Sequence, residues 1–385
     1  MRSAIFLPCF SPNFGGAERR FFYLFSRLAA GKESWCLFTN KSAYVNGVGY
    51  YKESSLVEKK VIMCDVFRPS KLMALSRFDK ILFLYRVIRN IKINKINHIH
   101  HAVNISWYAF VLVLLRGWLG ISFSCSIVGS IYKTRKDVGL FSYYVWKYCL
   151  RRAVWVDCLS RSIRDDLNRL FKDPLIDGKL SIAPCSFSLI LDKSSDQTTD
   201  SLNKSLSMRD IDIIFVSRFV EKKGIGLLIK VLKKLEDMNF VVNVMICGWG
   251  PLENAIRDVL GSFEYVKGTV EYCEKPGDYL CKSKIVLSLQ EQDNYPSQVL
   301  FEAAANYVVP VATDVGDTSL LVNMSNGFLV GADAVVVAEA ILSLLANPEE
   351  ILEKSKKFHD DVASQHSLVR FAAYFEEKIS SYGKM

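Results

Sequence analysis

Short runs of consecutive apolar residues alternate along the chain with longer stretches in which apolar positions recur every three or four residues. In the first half the short runs fall at 4–9, 35–39, 60–64, 97–100, 122–128, 154–160 and 180–184, and they read as strands. The segments around 17–30, 76–94, 103–118, 140–152 and 160–172 carry helical spacing instead. Such alternation predicts a mostly parallel sheet with helices on both faces. Residues 192–210 are rich in Ser and Asp with no apolar period, and read as a linker or surface loop. The alternation then restarts, with strands at 211–217, 240–247, 284–290 and 309–314 and helices at 225–235, 251–260 and 299–305. Three helical stretches close the chain, and no repeat of solenoid length is visible.

The expected architecture is therefore α/β, with two Rossmann-like domains at 1–190 and 211–366, a linker at 191–210, and a last helix, 367–385, packing back on the first domain. Ligands of open α/β sheets sit at the carboxyl ends of the strands. Two such sheets facing each other would make a cleft between the domains.

Composition narrows this picture. Half of the 385 residues are apolar and 23% are charged, enough to build real cores. Ten cysteines occur without a C-x-x-C pair, so free thiols in a reducing cytosol are expected rather than a metal site. The N-terminus lacks the long apolar stretch and cleavage site of a signal peptide. The apolar run 105–128 is broken by Arg116 and two glycines, so it reads as a buried helix followed by a buried strand, not as a span. Charge is uneven: residues 1–190 hold 29 Lys and Arg against 12 Asp and Glu, whereas the rest holds 20 against 28. A basic first half suits an anionic membrane surface or an anionic acceptor, and no nucleic-acid motif accompanies it, so no nucleic-acid partner is expected. Within 77–95, Ile81, Leu84, Val87, Ile88 and Ile91 fall at roughly helical spacing among Lys80, Arg86, Arg89, Lys92 and Lys95, a pattern suited to peripheral membrane association.

The candidate chemistry lies in the turns after predicted strands. Gly15 and Gly16 precede a helix whose N-terminus offers N–H groups to an anion. Arg218 and Lys223 stand five residues apart in one loop, where two cations can neutralise a departing diphosphate. Gly248 and Gly250 allow a tight turn against a ligand. Further on, an acidic loop holding Pro296 leads into a helix that carries Glu302. That carboxylate can accept two hydrogen bonds from a ribose diol, and the backbone around Ser297, Gln298 and Val299 can hold phosphate or sugar oxygens. Asp317 or Thr318 is more simply a helix cap. Asp210-Ile211-Asp212 has the form of a metal-binding D-x-D but sits where the linker enters a strand, so it reads as a boundary.

The order and spacing of GGAE, R-x4-KG, G-x-GP, NYPS with LFEA, PVATDVG and NGFLV resemble the pattern of glycosyltransferase family 4, the retaining group 1 enzymes of the GT-B fold. The resemblance implies retaining transfer of a sugar from a nucleotide-diphosphate sugar to a glycan or lipid-linked acceptor in cell-surface polysaccharide biosynthesis. The enzyme would work in the cytoplasm or peripherally on the inner membrane face, with no metal or other cofactor. Arg218 and Lys223 would stabilise the diphosphate, Glu302 would bind ribose, and Gly16 would lie beside the donor phosphates. Two positions depart from the pattern. A carboxylate eight residues before Glu302 is replaced by Asn294, with Asp293 one place earlier, so the sugar contact falls to either residue. Val128 stands where the family often has histidine, and His100 and His101, on an earlier strand end, read as a strand terminus. Two other classes stay open: a non-catalytic nucleotide-sugar-binding subunit of a polysaccharide assembly complex, and a sugar-nucleotide epimerase.

Overall fold

The computed structural model describes residues 2–7, 16–31, 35–39, 60–64, 77–129, 138–184, 199–273, 275–293 and 295–382. The chain divides into two units, Met1–Phe187 with Leu368–Met385, and Ser188–Ser367.

The first unit is built on seven parallel strands: β1 (Ser3–Leu7), β2 (Trp35–Thr39), β3 (Val61–Met63), β4 (His98–His101), β5 (Ser122–Ile127), β6 (Val156–Cys158) and β7 (Leu180–Ile182). They lie in the order β3-β2-β1-β4-β5-β6-β7. Helices α1 (Gly16–Gly31), α2 (Arg77–Ile93), α3 (Trp107–Leu119), α4 (Leu140–Arg152) and α5 (Arg161–Phe171) connect them. Alternation along a strand sends successive side chains to opposite faces. Ala4 and Phe6 accordingly join Phe83, Val87, Ile91, Tyr108 and Leu112 on one face. Ile5 and Leu7 join Phe21, Phe22 and Phe25 of α1 on the other.

Phe371 and Phe375 belong to that second cluster and come from the end of the chain. They sit on the helix Leu368–Tyr382, which packs on α1. A buried polar ladder ties the same helix to the sheet. His98 bridges Ser122 and Ser124, His100 bridges Ser124 and Ser126, and the Ser126 hydroxyl donates to Asp157 at 2.9 Å. Tyr374 donates to the other oxygen of Asp157. Every buried polar group in this row has a partner, as burial demands.

The second unit begins with a helix, α6 (Thr199–Ser207), inside the stretch expected to be a linker. Only two apolar residues one turn apart, Leu202 and Leu206, enter the core, too few to register as a period. Six parallel strands follow: β8 (Ile211–Arg218), β9 (Val242–Trp249), β10 (Val266–Glu271), β11 (Ser283–Ser288), β12 (Val309–Thr313) and β13 (Phe328–Val330), in the order β10-β9-β8-β11-β12-β13. Helices α7 (Ile225–Asp237), α8 (Glu253–Leu260), α9 (Gln298–Ala305), α10 (Ala334–Ala346) and α11 (Pro348–His366) cover them; α12 is the Leu368–Tyr382 helix of the first unit. Both sheets reverse direction beside their first strand, at β1/β4 and at β8/β11, the topological switch points where Rossmann-like sheets bind ligands.

Three expectations need correction. Cys247 and Cys273 are not free thiols but form a disulfide. The parallel pairing of β9 and β10 sets Cys247 opposite Glu271 and carries Cys273 within bridging distance, at a Cα separation of 5.4 Å. The helix within 105–128 is not wholly buried: Trp107, Leu114 and Trp118 are exposed on α3. The proposed membrane stripe of 77–95 is largely the sheet-facing side of α2, because Val87 and Ile91 are core residues and Leu84 and Ile88 pack partly against that core. No described helix is long and apolar enough to cross a membrane.

Candidate functional site

The predicted residues of the second unit converge on the carboxyl edge of its sheet, around the β8/β11 switch point. β8 ends in Arg218, which is exposed, and a short 3-10 turn, Glu221–Lys223, carries Lys223 to Gly224 at the start of α7. Gly224 has φ of +81°, and a side chain there would overlap the carbonyl of Leu289 at the end of β11. Glycine thus lets the two loops meet, and the Glu291 N–H reaches the Lys222 carbonyl at 3.4 Å. Lys223 is brought beside the loop that follows β11. Burial first, and then the neighbouring charges of Arg218 and Lys222, bring its pKa down to about 8. The Arg218–Lys223 proximity is therefore repulsive, and neither side chain has an ion-pair partner among the described residues.

Gly248, near the end of β9, and Gly250, just past it, press against the backbone of Ser217 and Phe219. Cys247, next to Gly248 in the chain, is held in the Cys247–Cys273 disulfide, and the neighbouring residues Trp249 and Tyr272 are exposed aromatics. Both aromatics escaped sequence reasoning, as did β10. Only Val266 and Val270 of VKGTVE point inward, so the segment shows no strand period. Gln290 was missed as well. It follows β11, and its buried Oε1 has no hydrogen-bond partner; a single polar residue after a strand gives no signal in one sequence.

After β11 the loop runs through Asp293, whose Oδ1 accepts the Tyr295 N–H at 3.1 Å and lies against Gly316 of the loop after β12. Asn294 lies outside the described residues. The loop ends at Ser297, the N-cap of α9, which makes no side-chain capping bond and leaves the first N–H groups of Gln298 and Val299 oriented along the helix N-terminus. One turn on, Glu302 Oε1 accepts from Gln298 Nε2 at 2.7 Å. Asp212, of the D-x-D stretch, is engaged at the opposite, amino-terminal edge: it accepts from Lys284 Nζ at 2.7 Å and from the Asn243 N–H at 2.9 Å. The arrangement suits a bound diphosphate: two cations and a helix N-terminus at one strand edge, with a carboxylate set one turn into the helix.

In the first unit Gly16 opens α1, whereas Gly15 lies outside the described residues. His100 is sealed between Ser124 and Ser126, and burial holds its pKa well below the ordinary value. His101 is equally buried and contacts Ser106. Val128 packs partly into the core and its N–H donates to Asn104. Among the described residues no histidine stands free at this sheet's carboxyl edge.

Residues 210–347 match the family described as "Glycosyl transferases group 1". Over 367 residues the chain is 23% identical to the phosphatidylinositol N-acetylglucosaminyltransferase GPI3 subunit of Saccharomyces cerevisiae (strain YJM789), covering 93% of this chain and 78% of that one. Its fold is similar to that of Anabaena Alr3699/HepE in complex with UDP, with a TM-score of 0.73, 13% identity, and 99% and 100% of the two chains covered. It is also similar to the sucrose-phosphate synthase of Thermosynechococcus elongatus, with a TM-score of 0.70, 18% identity, and 100% and 99% covered. The two parallel-sheet units are thus Rossmann-like units of the GT-B type, and the second holds the segment that matches the group 1 glycosyltransferases.

Proposed function

We propose that this glycosyltransferase is a retaining enzyme that moves a sugar from a nucleotide-diphosphate sugar to a glycan or lipid-linked acceptor in cell-surface polysaccharide biosynthesis. The observation that carries the donor half is the Arg218–Lys223 pair, two repelling cations held at a switch point with no ion-pair partner among the described residues. Such a pair is stabilised when a diphosphate arrives, and most when that diphosphate gains charge as it leaves. In this reading Arg218 and Lys223 take the leaving-group charge, which is why no metal is required. Glu302 holds the ribose, and the N–H groups of Ser297, Gln298 and Val299 hold phosphate or sugar oxygens. Asp293 or Asn294 contacts the sugar, while Gly16, Gly248 and Gly250 let backbone approach the donor. HepE was solved with UDP and the GPI3 relative is named for a phosphatidylinositol acceptor, which supports a nucleotide-sugar donor and a lipid acceptor. The acceptor is assigned to the basic first unit, on the cytoplasmic side of an anionic membrane.

A non-catalytic nucleotide-sugar-binding role is the second reading, and it rests on Val128, a half-buried residue packed against the core that presents no imidazole. Incubation with a panel of nucleotide sugars, with and without lipid and glycan acceptors, separates the two. Release of nucleoside diphosphate that depends on acceptor is the expected result. Donor binding without release, with every acceptor tried, would favour the binding subunit, and epimerised donor would overturn both.

A further inference from the structure

The outer face of α3 and α4 is left uncovered by the first unit, although it is made of large apolar side chains. Trp107 is 54% exposed, Trp118 64% and Phe141 68%, and Leu114, Leu140 and Tyr144 are exposed with them. These residues form one surface. Trp107 meets Phe110 and Phe141 in tilted contacts, with ring centroids 5.4 and 6.4 Å apart, and Phe110 meets Tyr148 of α4 edge-on. The two helices run side by side in the same direction, because Trp107 and Phe141 meet at their N-termini while Arg116 donates to the Arg152 carbonyl at their C-termini.

The charges carried by the two helices themselves have one sign. Neither α3 nor α4 contains a carboxylate, and their cations are Arg116, Lys147, Arg151 and Arg152. Lys92 of α2 adds another, stacked on the ring of Trp118 at 3.3 Å. Lys147 and Arg151 share Asp173 as a partner, and Arg152 lies over the Tyr148 ring. A protein partner's interface core is depleted of charge and matches charge with charge at its rim. Exposed Trp, Tyr and Phe among cations of one sign instead match the headgroup zone of an anionic bilayer, where aromatic rings and basic side chains are both favoured.

We infer that the α3/α4 face, with Lys92 at its margin, docks on the surface of a bilayer carrying anionic phospholipid. This deepens the membrane-side acceptor reading and moves the contact from the stripe of α2 to its neighbours. The N-termini of α3 and α4 follow the carboxyl ends of β4 and β5. The aromatic end of the patch, around Trp107 and Phe141, therefore lies at the ligand-binding edge of the first sheet, and docking there would bring that edge to the membrane.

The full chain, mixed with vesicles of phosphatidylcholine alone or with about a third phosphatidylglycerol, tests the inference by co-sedimentation without reference to turnover. Wild type is expected to partition to the anionic vesicles and to be released by salt. Trp107→Ser/Phe141→Ser should lose at least tenfold in partition coefficient with an unchanged unfolding midpoint. Should that variant fail to fold, Trp107→Phe/Trp118→Phe supplies a second measurement. Brominated lipid should quench wild-type Trp emission, and most of that quenching should vanish in the Phe variant. Equal partition to neutral vesicles, unchanged partition of the Ser variant, quenching that survives in the Phe variant, or a wild-type self-association that the Ser variant abolishes without an effect on vesicle binding would each overturn the proposal. Because binding is read directly, a failure here is distinguishable from a failure of the transferase reading, which shows only in diphosphate release.

Discussion

Gly316 and Asp293 are packed so closely that a β-carbon on the glycine would overlap Cγ and Oδ1 of the aspartate. The φ of +58° at Gly316 is what lets the loop after β12 make this approach. The carboxylate is thereby wedged between Gly316 and the Tyr295 N–H. Gly316→Ala should displace Asp293 and lower kcat/KM by about as much as Asp293→Asn, which keeps the shape but removes the charge that helps an electron-poor anomeric carbon. Asn294→Ala should be milder than either. Near-wild-type kcat/KM in Gly316→Ala, or a larger loss at Asn294, would move the sugar contact off Asp293.

Lys223, with its pKa brought down to about 8, makes a pH-dependent prediction. The leaving diphosphate needs the cation, which is present below that value and lost above it. kcat/KM for the donor should fall as pH rises through about 8. Lys223→Arg keeps its charge across the range and should abolish the fall. At fixed pH, Lys223→Ala and Arg218→Ala should each cost roughly 10²–10³ in turnover, by analogy with removing one preorganised group that faces a developing anion. A decline above pH 8 that persists in Lys223→Arg belongs to another group.

Glu302 is positioned by Gln298, one turn earlier on α9. Ribose hydrogen bonds are made equally in the ground and transition states, so Glu302→Ala should raise the donor KM more than it lowers kcat. Gln298→Ala should show the same split more weakly, by loosening the carboxylate. A large kcat loss at saturating donor would place Glu302 in the chemistry instead.

Asp157 predicts how stability depends on pH. Burial raises its pKa from 3.8 to about 6, against the hydrogen bonds from Tyr374 and Ser126 and the charges of Arg20 and Lys378; His100 Nε2 lies 3.6 Å away. A carboxyl whose folded pKa is raised contributes stability that is full below its unfolded value and lost as pH rises through about 6. Between pH 4 and 7 the wild type should therefore lose on the order of 2–3 kcal/mol relative to Asp157→Asn, read from chemical unfolding. A constant gap between the two proteins across that range would mean that the buried acid carries no such penalty. Tyr374→Phe should lower the unfolding midpoint at every pH, because it removes the donor that anchors α12 to Asp157 and leaves that carboxylate short of a partner.

The local pattern of the chain was enough to determine most of the two runs of strand and helix, since a short continuous apolar run marks a buried strand such as 211–217 and a 3.6-residue apolar period marks a helix such as 225–235. It also marked Arg218 and Lys223, at a strand end and in the turn after it, and Glu302, on the helix beyond the next strand, as candidates whose roles are proposed here. Tertiary structure decided what depends on neighbours distant in sequence. It paired Cys247 with Cys273 by setting β9 beside β10, and it buried Leu202 and Leu206 of a polar stretch. His100 became a core residue because Ser124, Ser126 and Asp157 come from adjacent strands, and Val87 became core while Trp118 stayed exposed because of which helix faces lie on the sheet. Periodicity says that a helix has an apolar face; only the packing of the other elements decides whether that face is covered.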